Sequence, residues 1–200
     1  MTVLLLLLLS LLYRYAKLGD KGSELPRMPT GVVWETGSVV ETIWSIRANH
    51  GGGWQYRLCP ANATLTEECF QQNPIPFAGD SSLELADGSR LPLKSTFVSD
   101  GTLPLGSTWQ MNPLPNTRQW FPDRLGYQFP PPCNETAPPE PLGHGICSGE
   151  WMTNITFYDQ LLIPEHLEPG EYVLGFRHDC ESSAQVWQSC ADITLAAPKQ

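Results

Sequence analysis

The sequence predicts a mostly β fold, and three observations predict it. Its 19 prolines and 17 glycines are spread along the chain, which breaks it into short segments. No long stretch shows helical periodicity, and several short ones alternate apolar with polar residues as strands do. With 200 residues, 41% hydrophobic and 16% charged, the composition is that of one folded domain rather than a disordered chain.

Val3 to Tyr13 is an apolar run too short for the roughly 20 residues of a spanning helix, and it matches the core of a signal peptide. Residues 1–17 are therefore expected to be a signal peptide or signal-anchor-like leader, and the protein to be secreted, or membrane-anchored if the leader stays. Residues 18–30 mix Gly, Pro and charge without periodicity and read as a linker, so that the folded unit would span 31–196.

Val32 to Glu35 and Val39 to Ile46 read as strands around a Thr36-Gly37-Ser38 turn. Next comes Ala48-Asn49-His50-Gly51-Gly52-Gly53-Trp54-Gln55-Tyr56-Arg57-Leu58-Cys59. Its glycines allow a tight turn or a close backbone approach, and Trp54, Tyr56 and Leu58 alternate with Gln55 and Arg57 as a half-buried strand would. His50 is thereby set at a turn between strands. Thr66-Glu67-Glu68 suits a short helical turn, and Asn73-Pro74-Ile75-Pro76 excludes both helix and central strand. Leu83 to Leu85 and Leu91 to Leu93 flank Asp87-Gly88, a hairpin signal, and Phe97 and Val98 mark another short strand.

Gly101 to Gly149 is rich in Pro, Gly and aromatics and reads as a long, ordered loop region offering a binding surface. Trp54, Trp109 and Trp120 are the candidates to stack on a sugar ring. Asn154 to Ile163 forms a strand, and Pro169-Gly170 turns the chain into a long one on which Tyr172, Leu174, Phe176 and His178 share a face. Ile193 and Leu195 belong to the closing strand.

Six cysteines fall into three close pairs, predicted to be Cys59 with Cys69, Cys133 with Cys147 and Cys180 with Cys190. A zinc site is disfavoured because no C-x-x-C spacing occurs. Asn62, Asn134 and Asn154 each begin a glycosylation sequon, which agrees with export. The net charge of −9, with no basic cluster, disfavours nucleic acid as a partner by plain repulsion, while a neutral polysaccharide is unaffected. Glu67-Glu68 and the Glu165/Glu168 pair lack any sign of facing one another across a bond, as a glycosidase requires. No nucleophile elbow, H-E-x-x-H, P-loop or dinucleotide motif occurs.

Ala184-Gln185-Val186-Trp187-Gln188-Ser189-Cys190-Ala191-Asp192-Ile193-Thr194-Leu195 resembles the last strand of lytic polysaccharide monooxygenases, of the chitin-binding type-4 kind. The stretch from Ala48 to Pro60 resembles the segment that supplies that family's second copper histidine. The resemblance covers about Val32 to Leu195 and implies an immunoglobulin/fibronectin-III-like β-sandwich with long loops and disulfides. It implies one copper ion held by His50, with Gln185 beside it, Trp187 at the weak axial position, and a monomer acting oxidatively on a polysaccharide. Copper(II) favours nitrogen ligands in tetragonal geometry, which suits histidine, and a neighbouring glutamine orients bound oxygen species.

One departure stands out: the family's mature chain begins with a histidine that completes the brace, yet no histidine precedes His50 here. Either the Leu-rich beginning replaces a segment that held it, or the chain is a non-catalytic, carbohydrate- or copper-binding relative. His144, His166 and His178 are the spare imidazoles, read as solvated, surface and core residues respectively.

Overall fold

A computed structural model describes residues 3–4, 20–45, 50–84, 88–113, 156–181 and 183–199. Trp120, Cys133, Cys147, Asn134, Asn154, His144 and residues 1–17 apart from Val3–Leu4 lie outside the described residues.

The described strands form two sheets. The first runs β1 (Val3–Leu4), β3 (Val39–Ser45), β10 (Thr156–Leu162), β6 (Ser82–Glu84) and β7 (Arg90–Pro92). The second runs β2 (Pro29–Glu35), β12 (Val186–Ala196), β11 (Gly170–Asp179), β4 (Gly53–Pro60), β9 (Trp109–Met111) and β8 (Phe97–Val98), with β5 (Pro74–Ile75) also on β4. Side chains of both sheets interdigitate in one core, so the architecture is the expected β-sandwich. Trp34, Trp54, Tyr56, Phe157, Leu161, Leu174 and Leu195 all lie in it. The period-2 reading of β11 holds: Tyr172, Leu174, Phe176 and His178 are all buried.

Short elements follow their local chemistry. Thr66 caps helix α1 (Glu67–Gln72), its hydroxyl accepting from the Cys69 N–H at 3.3 Å. The Cys59–Cys69 disulfide forms, with Cα atoms 5.5 Å apart. Strands β6 and β7 pair antiparallel as the Asp87-Gly88 signal implies. Strands β2 and β3, joined at Thr36-Gly37-Ser38, go to different sheets, so that turn is a corner of the sandwich.

After Val3–Leu4, the next strand begins at Pro29, inside the stretch read from the sequence as a linker. Arg27 pairs with Asp192 at 3.1 Å and Glu171 at 3.3 Å, which fastens the end of the expected linker to β11 and β12. Among the described residues, no helix is long and apolar enough to cross a membrane.

Strand β4 corrects an expectation. Seven of its eight residues, Gly53 to Cys59, are buried, whereas alternation predicted a half-buried strand. Its inner face meets the opposite sheet; its outer face lies under α1 and the segment before β9, which cover Arg57 and Gln55. Trp54 is consequently 0% exposed, and the expectation that it stacks on a sugar is overturned.

The third cysteine expectation also fails. Cys180 and Cys190 are free thiols. Cys190 sits opposite Gly175 in the β11–β12 ladder, whereas Cys180 follows Asp179, whose partner is Val186 at the far end of the hairpin. Strand rise separates the two by roughly 15 Å, twice what a disulfide spans. Burial raises the Cys180 thiol pKa to about 11, and burial also raises that of Cys190.

Candidate functional site at the end of the sandwich

The β3–β4 connection brings His50 to the tip of the β11–β12 hairpin. Its ring packs edge-on against Trp187, with centroids 5.4 Å apart. Its Nδ1 lies 3.1 Å from Ser183 Oγ, although the two are 133 positions apart in sequence. Buried His178 also packs edge-on against Trp187, with ring centroids 5.6 Å apart. Trp187 is half-buried, and Gln185 is exposed beside it. The structure thus brings His50 against the closing strand through Trp187 and against the hairpin tip through Ser183.

The glycine run positions this cluster. Gly51 accepts a hydrogen bond from His178 Nε2 at 2.8 Å, Gly52 accepts from the Asn112 N–H at 2.8 Å, and His50 accepts from the Glu181 N–H at 3.1 Å. Gly52 has φ +83°, and a Cβ there would stand 1.9 Å from the Asp179 carbonyl oxygen. The glycine thus allows the close approach of two backbones of this chain.

Because Nε2 of His178 donates to a carbonyl, its Nδ1 is the bare ring nitrogen, and it is buried with no partner. Burial lowers the His178 pKa below 6.5; the Gly51 carbonyl and Asp179 act in the opposite sense, and His50 adds to the lowering.

These residues do not fit the three-nitrogen copper set that the resemblance implies. Among the described residues no group of three or more His, Cys, Asp or Glu side chains is placed to hold a metal ion. His50 supplies one imidazole with Ser183 on its Nδ1, and His178 has Nε2 committed to Gly51. No step through copper follows from this arrangement.

Trp109 is half-buried on β9 and donates its indole N–H to the Leu103 carbonyl at 3.3 Å, far from the hairpin tip in sequence and on another strand. Asn62 is exposed in the turn after β4, which keeps it accessible as a glycosylation acceptor. His166 sits exposed in the turn before β11.

Two polar constellations escape sequence reading. The first is Asp159 on β10, fully buried. Its Oδ2 accepts from Trp44 Nε1 at 3.1 Å, Trp54 Nε1 at 2.8 Å and the Tyr56 hydroxyl at 2.7 Å, and its Oδ1 accepts from the Ser81 hydroxyl. Burial raises the Asp159 pKa, against the pull of the Ser81, Tyr56, Trp54 and Trp44 donors. Burial and then the Asp159 charge push the Tyr56 phenol well above its ordinary value.

The second constellation joins Arg57 and Arg177 through Glu67. Arg57 Nη1 lies 2.6 Å and Arg177 Nη1 2.8 Å from the same oxygen, Glu67 Oε1. Arg177 also grips Asp179 with two nitrogens, at 2.6 and 3.0 Å. Burial acts to raise the Glu67 pKa, but hydrogen bonds from Gln71 and Arg57, with the charges of Arg57 and Arg177, bring it below the usual value. Thr66-Glu67-Glu68 marks the helix start in the sequence, but nothing local signals which distant cations meet it.

No protein-family model matches this sequence, and no curated protein does. Among solved structures, the C-terminal domain of the Streptococcus agalactiae AgI/II polypeptide BspA is similar at TM-score 0.34 and 10% identity, over 84% of this chain and 46% of that one. A second BspA C-terminal structure gives TM-score 0.36 and 12% identity, over 84% and 45%. A family 123 glycoside hydrolase from Clostridium perfringens gives TM-score 0.23 and 12% identity, over 84% and 23%. The chain thus spans less than half the length of each, and likenesses this slight carry no inference about function.

Proposed function

We propose that this protein is an exported, polysaccharide-binding β-sandwich of the lytic polysaccharide monooxygenase type, non-catalytic as it stands. The observation that carries the reading is the contact of His50 with Trp187 at the hairpin tip, where two segments resembling that family meet. Half-exposed aromatic surface with an imidazole, a hydroxyl and an exposed amide around it suits the apolar faces and hydroxyl edges of sugar rings. The Cys59–Cys69 disulfide is consistent with export.

Copper chemistry belongs to the same reading only in completed form. A chain whose mature start is a histidine would add its α-amine and imidazole to His50, and the bound copper would then supply oxidative cleavage of a glycosidic bond. Without them, one imidazole holds copper weakly.

The test is retention of the full chain on insoluble chitin, cellulose and pectin, followed by copper, a reductant and product analysis by mass spectrometry. Retention on at least one polysaccharide, weakened about tenfold by Trp187→Ala and without oxidised products, supports the proposal. No retention on any of them overturns the binding assignment, and oxidised products or a tetragonal copper signal at tight affinity overturn the non-catalytic one.

A further inference from the structure

The outer face of the second sheet carries a groove of about 560 Å³ that the sandwich-end reading leaves unused. Its floor is β4, β11 and β12, with Arg177 and Gln188 facing the groove and the nearly buried Arg57 beneath, covered by α1. One wall is α1, with Glu67 and Phe70, and the other is the segment Asp20 to Ser23.

The groove is built rather than incidental. Helix α1 is held down by the Cys59–Cys69 disulfide and by the Thr66 cap. The Phe70 ring lies so close over Gly175 that a Cβ there would meet ring carbons at 2.9 Å, so the sheet must have no side chain at that point. Arg57 is only 3% exposed, a costly burial for a guanidinium that a simple surface would not require.

The charge of the floor selects the ligand. Two guanidiniums are balanced by Glu67 and Asp179, so the floor is neutral while the planar groups stay fixed. A chain of net charge −9 adds no attraction for an anion. Fixed guanidinium, carboxylate and amide groups offer pairs of donors and acceptors that match the vicinal hydroxyls of a sugar, and Phe70 offers an apolar surface for its C–H face. A volume of this size lies in the range of sites for small ligands.

We propose that this groove is a second binding site, for the end of a neutral oligosaccharide, independent of the sandwich-end site. The geometry has Gln188 and Arg177 bonding hydroxyls while Phe70 packs on the ring. Trp187 and Gln188 are consecutive on β12 and point to opposite faces, so one strand serves both sites.

The experiment is an NMR titration of the full ¹⁵N-labelled chain with chitotriose, cellotriose and trigalacturonate. A neutral trisaccharide should shift the amides of Gly22, Gly175 and Gln188. Gln188→Trp, which fills the groove from an exposed position, should weaken that binding about tenfold or more, and Gln188→Ala should weaken it less. His50→Ala should leave it unchanged while lowering retention on insoluble polysaccharide, which separates failure of this site from failure of the sandwich-end reading. The proposal is overturned if neither neutral trisaccharide shifts the groove amides, if Gln188→Trp binds as the parent does, or if trigalacturonate binds more tightly than both.

Discussion

The Trp54 indole N–H donates to Asp159 Oδ2 at 2.8 Å across the interior of the sandwich, tying the second sheet to the first. Trp44 approaches the same carboxylate from its own sheet, Ser81 from just before β6, and Tyr56 joins Trp54 from the opposite sheet. A buried carboxylate with several donors is stable only as a set, because each donor loses its water on folding. Asp159→Ala strands all of them and should cost about 3–5 kcal/mol, measured by urea unfolding. A loss under about 1 kcal/mol would mean that the donors find other partners.

Gly52 is the point where the β3–β4 connection crosses the end of β11. Its φ of +83° and the 1.9 Å approach of the Asp179 carbonyl to any Cβ leave no room for alanine. Gly52→Ala should therefore destabilise by about 3 kcal/mol or more and displace His50 from Trp187. Thermal unfolding reads the first effect, and quenching of tryptophan fluorescence reads the second.

The Cys59–Cys69 bridge closes a short loop around the start of α1. Replacing both cysteines with serine should cost about 2–3 kcal/mol in denaturant unfolding. Peptide mapping of the unreduced protein should recover Cys59 joined to Cys69, with no peptide joining Cys180 to Cys190. A Cys180–Cys190 peptide would contradict the hairpin register.

His178 should make stability fall under mild acid. Its folded-state pKa lies below 6.5, so between that lower value and 6.5 the unfolded chain takes up a proton that the native one refuses. Its contribution is complete above about pH 6.5 and is lost as pH falls through the window. The urea midpoint should drop between about pH 7.5 and about pH 5.5, and His178→Phe should reduce that drop. An unchanged slope in the variant would assign the effect elsewhere.

Strand alternation, the Thr66 cap and the Cys59–Cys69 spacing are local properties, and the sequence alone determined them: the mostly β class, the buried face of Tyr172 to His178, and α1 with its disulfide. The approach of His50 to Trp187, with ring centroids 5.4 Å apart, joins two segments more than 130 positions apart and was decided by the tertiary structure. Other features depended on which pieces of chain cover which faces. Trp54 alternates like a half-exposed strand residue, yet α1 and the segment before β9 lie over the outer side of β4 and the opposite sheet over its inner side. Cys180 and Cys190 are close in sequence, but the β11–β12 register sends them to different points of the hairpin. Asp159 reads as an ordinary polar residue of a strand until Trp44, Trp54, Tyr56 and Ser81 converge on it. Periodicity specifies which residues share a face, whereas the tertiary structure decides what that face meets, because the covering groups are distant in sequence and their desolvation is settled only when the sheets pack.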